Sequence, residues 1–230
     1  MSNQLIWHGH ANFEIVTPNT NILIDPWFEG NPSARIKSDD VSKCDLVLLT
    51  HDHADHLGQA VDVCRNTGAH LGAIVEVAAK CMDLGIDQSQ IINGIGFNIG
   101  GTIRYKDIQV TMTQAVHSCD KGSCVGFIIV LENGYTIYHA GDTGIFSSMQ
   151  IWGELYEIDL AILPIGGVFT MDPRQAALAC KMLGCKKVTP MHWGSFPVLE
   201  QNTENFEKQV ALYSPETKVL SMNPEDKVEL

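Results

Sequence analysis

Short apolar segments separated by turn residues follow one another along the chain and predict alternating strands and helices. Residues 4–7, 12–16 and 22–26 are three such segments, and the turn residues between them predict an antiparallel meander. Residues 45–49 are short, continuous and aliphatic, which is typical of a buried strand. This strand leads directly into a strongly polar loop, residues 50–56.

The central part of the chain predicts a strand–helix–strand–helix unit followed by a second β meander. Each predicted helix is followed by a glycine, a residue that commonly ends helices in the left-handed conformation. Farther along, β-branched residues alternate with polar ones on both sides of a turn at Lys106 and Asp107. The helices are predicted at residues 57–67 and 77–84, a strand at residues 70–75, and the second meander within residues 91–116.

The C-terminal half continues this alternation. Asn133-Gly134 is a strong hairpin signal between two apolar segments, and Asp172-Pro173 has the residue types that begin a helix. The predicted strands are residues 124–131, 135–140, 160–164 and 187–191 with an edge strand at 217–222, and the predicted helices are residues 145–158, 172–184 and 203–213. The whole pattern indicates a layered α/β protein.

Length and charge narrow the classes of partner. With 230 residues, of which 45% are hydrophobic, the chain is long enough for one large domain or two small ones. Fifteen basic residues against 27 acidic ones give a net charge of −12, which repels nucleic acid and anionic lipid. Nucleic acid is therefore an unexpected partner, and an anionic substrate would need local attraction, for instance by metal ions.

The compartment is indicated by what the sequence lacks. No segment has the length and hydropathy of a membrane span, and the first residues lack the basic and apolar regions of a secretory signal. The seven cysteines are an odd number and include no C-x-x-C pair, which argues against a disulfide framework and against a thiolate zinc site. We therefore expect a cytoplasmic protein without a membrane partner.

The strongest chemical signal is the loop that follows the strand at residues 45–49. It holds His51, His53, Asp55 and His56 within six residues. Imidazole and carboxylate ligands together suit Zn²⁺, Mn²⁺ and iron, and loops at the carboxyl ends of strands commonly bind ligands. The alternative is a polar turn with solvated histidines. This alternative is less favoured, because three histidines crowded around an aspartate without a cation repel one another when protonated.

Three further ligand candidates also lie at predicted strand ends. His117 closes the second meander, Asp142 lies between glycines after the predicted hairpin, and His192 follows the strand at residues 187–191. Together with the loop at residues 50–56 they provide seven ligand groups. Seven groups are enough for two ions if the strand ends converge on one cleft.

In order along the chain these groups are His51-x-His53-x-Asp55-His56, His117, Gly141-Asp142-Thr143 and His192. This ordered set resembles the metallo-β-lactamase superfamily of hydrolases, and the resemblance spans nearly the whole chain. Shorter stretches are similar to its metal-dependent hydrolase branch, which is related to L-ascorbate-6-phosphate lactonase and, more distantly, to N-acyl-phosphatidylethanolamine phospholipase D. These stretches are residues 9–11, 23–26, 139–143, 164–171 and 191–194.

The resemblance implies one domain over residues 1–230 with a four-layer αβ/βα sandwich, in which two mixed β-sheets lie face to face with helices outside. It also implies two divalent cations in a cleft at one edge of the sandwich. Zn²⁺ is the expected metal, and Mn²⁺ and Fe²⁺ are the alternatives. The first cation would be bound by His51, His53 and His117, and the second by Asp55, His56 and His192, with Asp142 bridging both.

A hydrolytic mechanism follows as a hypothesis. Two cations about 3.5–4 Å apart would lower the pKa of a bridging water toward about 7, and the resulting hydroxide would attack a carbonyl carbon or phosphorus. Asp55 and Asp142 would be the catalytic carboxylates, and Asp55 would also orient the hydroxide or relay a proton. We expect Asp25 and His139 to hydrogen-bond ligand imidazoles. His10 could be a ligand or could hydrogen-bond one, although a structural histidine is the more common interpretation.

Three more residues could either contact substrate or have a purely structural role. Gly166 and Gly167 lie in a loop at a strand end, where they could contact substrate or only turn the chain. Trp193 follows a ligand candidate and could contact substrate or pack in the core.

We expect a metal-dependent hydrolase that cleaves a small-molecule ester, lactone or phosphoester. The alternatives are a nuclease or phosphodiesterase acting on RNA or nucleotides, and an iron-dependent redox enzyme. The acidic charge disfavours the first, and the second usually has an added flavin domain, for which this length leaves no room. A structural metal domain is disfavoured because structural zinc usually has a closed four-ligand site. A homo-oligomer is consistent with the assembly of related lactonases.

Overall fold

The structure, a computed structural model, describes residues 2–230 and contains two mixed β-sheets. The strands of the first sheet are β1 (Gln4–Trp7), β2 (Phe13–Val16), β3 (Asn21–Ile24), β4 (Leu46–Leu48), β5 (His70–Gly72) and β13 (Lys227–Glu229). Those of the second sheet are β6 (Thr102–Tyr105), β7 (Ile108–Gln114), β8 (Val125–Val130), β9 (Thr136–His139), β10 (Leu160–Pro164), β11 (Lys187–Met191) and β12 (Lys218–Val219). The spatial orders are β13-β1-β2-β3-β4-β5 and β12-β11-β10-β9-β8-β7-β6.

Helices cover the outer faces of both sheets. They are α1 (Ala54–Leu57), α2 (Ala60–Thr67), α3 (Val75–Asp83), α4 (Met149–Leu155), α5 (Pro173–Leu183) and α6 (Glu204–Tyr213). Short 3₁₀ turns at Ser38–Asp40, Gln88–Gln90 and Ile92–Gly94 complete the elements.

Alternating residues of the second sheet pack into two different cores. On β8, Phe127 and Ile129 pack into the core that includes the first sheet, whereas Ile128 packs under α4, α5 and α6. This alternation follows from the two-residue period of a strand, because neighbouring side chains point to opposite faces. The layers agree with the predicted four-layer sandwich.

The direction of the strands explains where the polar loops lie. The predicted antiparallel meander of β1, β2 and β3 is confirmed, but β3 pairs in parallel with β4, and β4 in parallel with β5. In the second sheet β9, β10 and β11 are parallel. Parallel strands end at the same edge of a sheet, so the loops after β3, β4, β9 and β11 gather at one edge of the molecule.

The single helix predicted for residues 57–67 is wrong, because Gly58 divides it into α1 and α2. Gly58 has φ 41° and ψ −123°, which is outside the helical region. A Cβ atom at this position would lie 2.5 Å from Trp27 Cα and 2.6 Å from Pro26 O. The break therefore lets the segment after β3 pack closely against the start of α2.

Two other predicted elements are shorter in the structure, and one strand of the structure was not predicted. The helix predicted for residues 145–158 is limited to α4, and the edge strand predicted for residues 217–222 is limited to β12. The sequence analysis did not predict β13, which pairs with β1 in antiparallel orientation.

Buried His8 helps to hold the segment that leads into β13. Its Nδ1 is 3.0 Å from Glu225 Oε1 and its Nε2 is 3.3 Å from Glu14 Oε2. Burial lowers the pKa of His8, but the hydrogen bonds to these two carboxylates outweigh burial and raise it above the usual 6.5. His8 is thus occupied by structural partners.

Across residues 2–230, no helix combines the length and the apolar character that crossing a bilayer would require.

Replacing Gly58 should destabilise the fold more than replacing another glycine of positive φ. We expect Gly58→Ala to lower the free energy of unfolding by about 2–4 kcal/mol, because the methyl group adds a backbone clash to the strained φ. The matched control is Gly68→Ala, since Gly68 has φ 75° and a methyl group there would meet no atom within 4 Å. It should cost about 1 kcal/mol. Urea unfolding measures both variants, and equal losses would contradict the close approach at Gly58.

Candidate metal centre

His51, His53 and His117 bring three imidazoles together at the shared edge of the two sheets. His51 and His53 lie in the loop after β4, and His117 lies in the loop after β7. One ligand atom from each lies within 4.8 Å of the others. His51 Nε2 is 3.0 Å from His53 Nδ1, and both ring centres are 5.3 Å from that of His117. The structure thus brings together the three predicted ligands of the first cation.

A second group consists of His10, Asp55, His56 and His192, whose ligand atoms also lie within 4.8 Å of one another. Asp55 and His56 belong to α1, and His192 follows β11. His10 joins them, although the sequence favoured a structural role for it over a ligand role. Its Nε2 is 3.3 Å from Asp55 Oδ2, and its ring centre is 4.1 Å from that of His192.

The carboxylate of Asp142 lies between the two groups. Its Oδ2 atom is 3.0 Å from His192 Nε2, 3.3 Å from His56 Nε2 and 3.6 Å from His117 Nε2. Asp142 also forms a third candidate group with His51 and His56. One buried carboxylate therefore contacts both of the imidazole groups that the sequence predicts as ligands of separate cations.

Burial keeps several of these imidazoles neutral. It lowers the pKa of His51 to about 2, and the nearby charge of His56 acts in the same direction. Burial likewise lowers the pKa of His10 to about 4 and lowers the pKa of His117. A neutral imidazole keeps the lone pair through which it binds a metal ion.

Asp142 and His56 behave in the opposite way and form a charged pair. Burial raises the pKa of Asp142, but His56 and His192 outweigh burial and hold it well below the usual value. Burial lowers the pKa of His56, but Asp142 and Asp25 outweigh burial and hold it well above 6.5. Without a cation, a proton on His56 balances Asp142, and a divalent cation would replace that proton.

Asp25 and Thr50 orient two of the imidazoles from behind. Asp25 Oδ2 accepts hydrogen bonds from His56 Nδ1 at 2.7 Å and from Thr50 Oγ1 at 2.6 Å, and its Oδ1 accepts one from Thr50 N at 2.8 Å. Because Thr50 Oγ1 donates to the carboxylate, its free lone pair accepts the Nδ1 proton of His51 at 3.0 Å. Both imidazoles then direct Nε2 toward the ligand cluster.

Asp52 joins the loop after β4 to the loop that carries His117. Its carboxylate is fully buried and accepts hydrogen bonds from Lys80 Nζ at 2.8 Å, Asp120 N at 2.9 Å and Lys121 N at 3.3 Å. Burial raises the pKa of Asp52, but the hydrogen bonds from Lys80, Asp120 N and Lys121 N together outweigh burial and lower it. Asp52 therefore holds the two histidine-bearing loops in register without joining either ligand group.

The hydrogen-bond partners of His139 differ from the predicted ones. We expected a hydrogen bond to a ligand imidazole, but its partners are backbone groups, because His139 is the last residue of β9 and lies against β2. Nδ1 accepts a hydrogen bond from Gly141 N at 3.2 Å, and Nε2 donates to Ala11 O at 3.4 Å. Burial lowers the pKa of His139 to about 4, so a neutral ring fixes the turn before Asp142.

Two contacts position the second group. Ser195 Oγ is 2.6 Å from His10 Nδ1 and orients that ring with Nε2 toward Asp55. Gly166 packs against His192, since a Cβ atom at Gly166 would lie 2.9 Å from His192 Nδ1. His10 and His192 have φ angles of 54° and 57°, a left-handed conformation that costs non-glycine residues energy and is concentrated at functional sites.

The remaining two substrate candidates lie away from the ligand cluster. Gly167 has φ 90° and turns the loop after β10, where with Gly166 it borders a neighbouring cavity of about 440 Å³. Trp193 packs on Trp7 with ring centres 5.2 Å apart, and its Nε1 donates to Pro190 O at 3.2 Å. Among residues 2–230, neither Gly167 nor Trp193 lines the cavity above the ligand cluster.

The unpaired polar atoms fit a bound cation. Within residues 2–230, buried Asp142 Oδ1 and His192 Nδ1 have no hydrogen-bond partner, and His10 Nε2 and His56 Nε2 each have only a carboxylate oxygen at 3.3 Å. An unpaired buried polar atom costs about 1–3 kcal/mol, and coordination would remove this cost. A set of imidazole and carboxylate donors without thiolate suits Zn²⁺, Mn²⁺ and iron.

A cavity of about 470 Å³ opens above the cluster. One side is polar and contains His53, Asp55, His117, Asp142 and His192, with Ser118 beside them. The opposite side is apolar and contains Phe169, Phe196, Pro197 and Val198. The volume lies within the range of about 300–1,000 Å³ that is usual for small-molecule sites.

Sequence reasoning missed several residues that shape this site. Thr50 and Asp52 stood inside the histidine motif, but their partners at residues 25, 80 and 120–121 are distant in sequence. Ser195 and the apolar residues of the cavity had no signal in the local pattern. Their contribution depends on loops that meet only in the folded chain.

The family described as the beta-lactamase superfamily domain matches residues 20–193. A relative from Nitratidesulfovibrio vulgaris (strain DP4), described as a UPF0173 metal-dependent hydrolase, is 54% identical over 230 residues, which cover 100% of this chain and 96% of that protein.

Solved structures show the same architecture. Igni18, a metallo hydrolase from the archaeon Ignicoccus hospitalis, has a TM-score of 0.90 at 38% identity, covering 100% of this chain and 99% of that one. The metallo-beta-lactamase fold protein YhfI from Bacillus subtilis has a TM-score of 0.78 at 13% identity, covering 100% of both chains. At that identity the likeness to YhfI concerns the fold alone.

The ordered ligand motif, the two mixed sheets with outer helices and the full-length similarity to these relatives agree. The chain belongs to the metallo-β-lactamase superfamily and, within it, to the UPF0173 family of metal-dependent hydrolases.

Proposed function

We propose that this metal-dependent hydrolase holds two divalent cations and cleaves a small-molecule ester, lactone or phosphoester. The observation that supports this most strongly is the position of Asp142, whose carboxylate contacts His117, His56 and His192 at the bottom of one cavity. A closed structural site would not need seven ligand groups or an open cavity above them.

In this proposal each cation has its own imidazole ligands, and one carboxylate is shared by the two cations. His51, His53 and His117 hold the first cation, and Asp55, His56 and His192 hold the second, with Asp142 bridging both. His10 belongs to the second set, because its ligand atom lies within 4.8 Å of those of Asp55, His56 and His192. Zn²⁺ is the metal we favour, and Mn²⁺ or Fe²⁺ would suit the same donors.

Two bound cations supply a lowered water pKa and positive charge for the oxyanion that forms during hydrolysis. The chain itself supplies orientation. Asp55 lines the cavity with 27% of its side chain exposed. Burial raises its pKa, but the hydrogen bond with His10 and the charge of His56 outweigh burial and lower it, so the carboxylate is ionised at neutral pH. Its Oδ2 can accept a hydrogen bond from the attacking water and direct that water toward the scissile bond.

The other function classes have less support. A nuclease needs cationic groups for the phosphate backbone, and no lysine or arginine of residues 2–230 lines the cavity. We keep the nuclease and the iron-dependent redox enzyme as outcomes of the substrate panel below. A cytoplasmic location and a homo-oligomer remain predictions.

Removing ligands should remove metal. We expect the purified chain to bind about two cations, and His51→Ala with His53→Ala, or Asp142→Asn alone, to lower that content, because the cations lose their donors. Metal analysis of the purified proteins measures this. The control is His70→Ala, since His70 lies on β5 with Tyr105 as its partner and belongs to neither group.

The same proteins test the reaction. A panel of lactones, carboxylic esters, thioesters, phosphomonoesters and phosphodiesters is assayed with Zn²⁺, Mn²⁺ and Fe²⁺ in turn. Turnover should require metal and fall by at least about a hundredfold in Asp142→Asn. Turnover that persists after the cations are stripped, or undiminished metal content in the ligand variants, would contradict the proposed site.

The hydroxyl group of Thr50 should strengthen metal binding. Thr50→Val keeps the shape but removes the oxygen that accepts the His51 Nδ1 proton, so we expect metal affinity to fall by about 10–100-fold. Competition with a chromophoric chelator measures the affinity. Thr189→Val is the control, because Thr189 is fully buried and its Oγ1 has no hydrogen-bond partner. Equal affinities for the two variants would show that Thr50 does not orient His51.

Metal binding should weaken as the pH falls. The raised pKa of His56 means that a proton occupies this ligand below that pKa and must leave when a cation binds. In that range, affinity should fall by about tenfold per pH unit, and above that pKa this dependence should disappear. Calorimetric Zn²⁺ titrations in buffers of different ionisation enthalpy count the protons. We expect the release of at least about one proton at neutral pH, and no release would contradict the His56–Asp142 pair.

A further inference from the structure

One side of the cavity is an apolar wall, formed by Phe169, Phe196, Pro197 and Val198. Phe169 is 55% exposed and Val198 is 53% exposed, although large hydrophobic side chains are normally buried. They line the same cavity as the histidine and aspartate ligands. An exposed apolar patch beside polar chemistry commonly marks a binding site.

The part of the wall that follows β11 is held in a fixed shape. The Phe196 ring stacks on Trp27, with ring centres 5.9 Å apart and planes at 20°, and its edge contacts His10 at 5.7 Å. Gln201 Nε2 donates to Phe196 O at 2.9 Å and to Leu199 O at 2.7 Å. The wall therefore exists before a substrate arrives, which reduces the entropy lost on binding.

The other part of the wall lies on the loop after β10, which is tied to the turn that carries Asp142. Thr143, the next residue after Asp142, accepts a hydrogen bond at its backbone O from Met171 N at 2.9 Å. Thr143 Oγ1 accepts another from Val116 N at 2.9 Å. The loop after β10 and the loop after β7 are thus both hydrogen-bonded to Thr143.

The side chains that line the cavity offer little to an anionic substrate group. Among residues 2–230, its lining contains two carboxylates, Asp55 and Asp142, and no lysine or arginine. A phosphate group would find no cationic side chain to pair with beyond the proposed cations. Sites that bind phosphate usually offer arginine, lysine or backbone amides to its oxygens.

We propose that the substrate is an uncharged carboxylic ester or lactone whose acyl part carries an apolar chain that packs on this wall. This inference rests on the proposed hydrolase function. Water oxygen adds to the acyl carbon, the acyl C–O bond breaks, and the leaving oxygen takes a proton. An ester thereby gives a carboxylic acid and an alcohol, and a lactone gives a hydroxy acid.

A chain-length series tests the wall. The metal-loaded protein is assayed with p-nitrophenyl acetate, butyrate, hexanoate and octanoate, and with p-nitrophenyl phosphate and bis(p-nitrophenyl) phosphate. We expect kcat/KM to rise by about two- to fourfold for each methylene that reaches the wall. The two phosphate esters should be slower than the hexanoate.

Variants locate the effect. Phe169→Ala and Val198→Ser should reduce the hexanoate-to-acetate ratio of kcat/KM toward one. Leu212→Ala is the control, because Leu212 is 69% exposed on α6 and lies outside the cavity lining. Thermal unfolding checks that Phe169→Ala and Val198→Ser keep their fold, as their exposure predicts.

A binding measurement separates this inference from the proposed function. Calorimetry of the free carboxylates acetate, butyrate, hexanoate and octanoate with the metal-loaded protein gives a series of Kd values that needs no turnover. Kd should fall with the length of the carboxylate in the unmodified protein but not in Phe169→Ala. The proposal of an apolar acyl group would be overturned if Kd did not change with chain length. It would also be overturned if the phosphate esters were cleaved faster than the hexanoate ester and kcat/KM did not change with chain length. Absence of turnover for every substrate with every metal would overturn the proposed function. The Kd series would still show whether the wall binds an apolar chain.

Discussion

The buried carboxylate of Asp142 is the interaction on which the rest of the site depends. A carboxylate that is 2% exposed must be balanced by positive charge, and His56 and His192 lie within 3.3 Å of it. Isolated burial of this charge would cost several kcal/mol, so the imidazoles around Asp142 are a condition of its ionised state. The fold must therefore bring loops from both sheets to one point, because His56 follows the first sheet and Asp142 the second.

The common edge of the two sheets satisfies that condition. Parallel pairing of β3 with β4, and of β10 with both β9 and β11, directs five strand ends to the same side. Strain accompanies this convergence, since His10, Asp25 and His192 all adopt positive φ angles. Behind the ligands, hydrogen bonds with Ser195, Thr50 and Asp25 orient the rings of His10, His51 and His56, respectively. Rigid support of this kind keeps the ligand geometry ready for a cation without reorganisation of the loops.

Chemistry and selectivity come from different parts of the fold. The proposed ligands lie at strand ends, which cannot move without disturbing a sheet, whereas Phe169, Phe196 and Val198 lie on loops that lead away from β10 and β11. Such loops can change in sequence without altering the ligand geometry. This division explains how the ligand motif can identify the superfamily while the substrate depends on the apolar side of the cavity.

The sequence by itself determined the strand and helix pattern, the layered class and the candidate ligands, because periodicity, turn residues and the histidine motif are local signals. It could not place the break at Gly58 or strand β13, and it could not decide whether His10 is a ligand or a structural residue. Each of these depends on contacts between distant residues, such as His10 with Ser195, 185 positions apart, and His8 with Glu225, 217 apart. Only the tertiary structure decided which loops meet, which imidazole nitrogen remains free and where the apolar wall lies, since these follow from packing in space and leave no periodic trace along the chain.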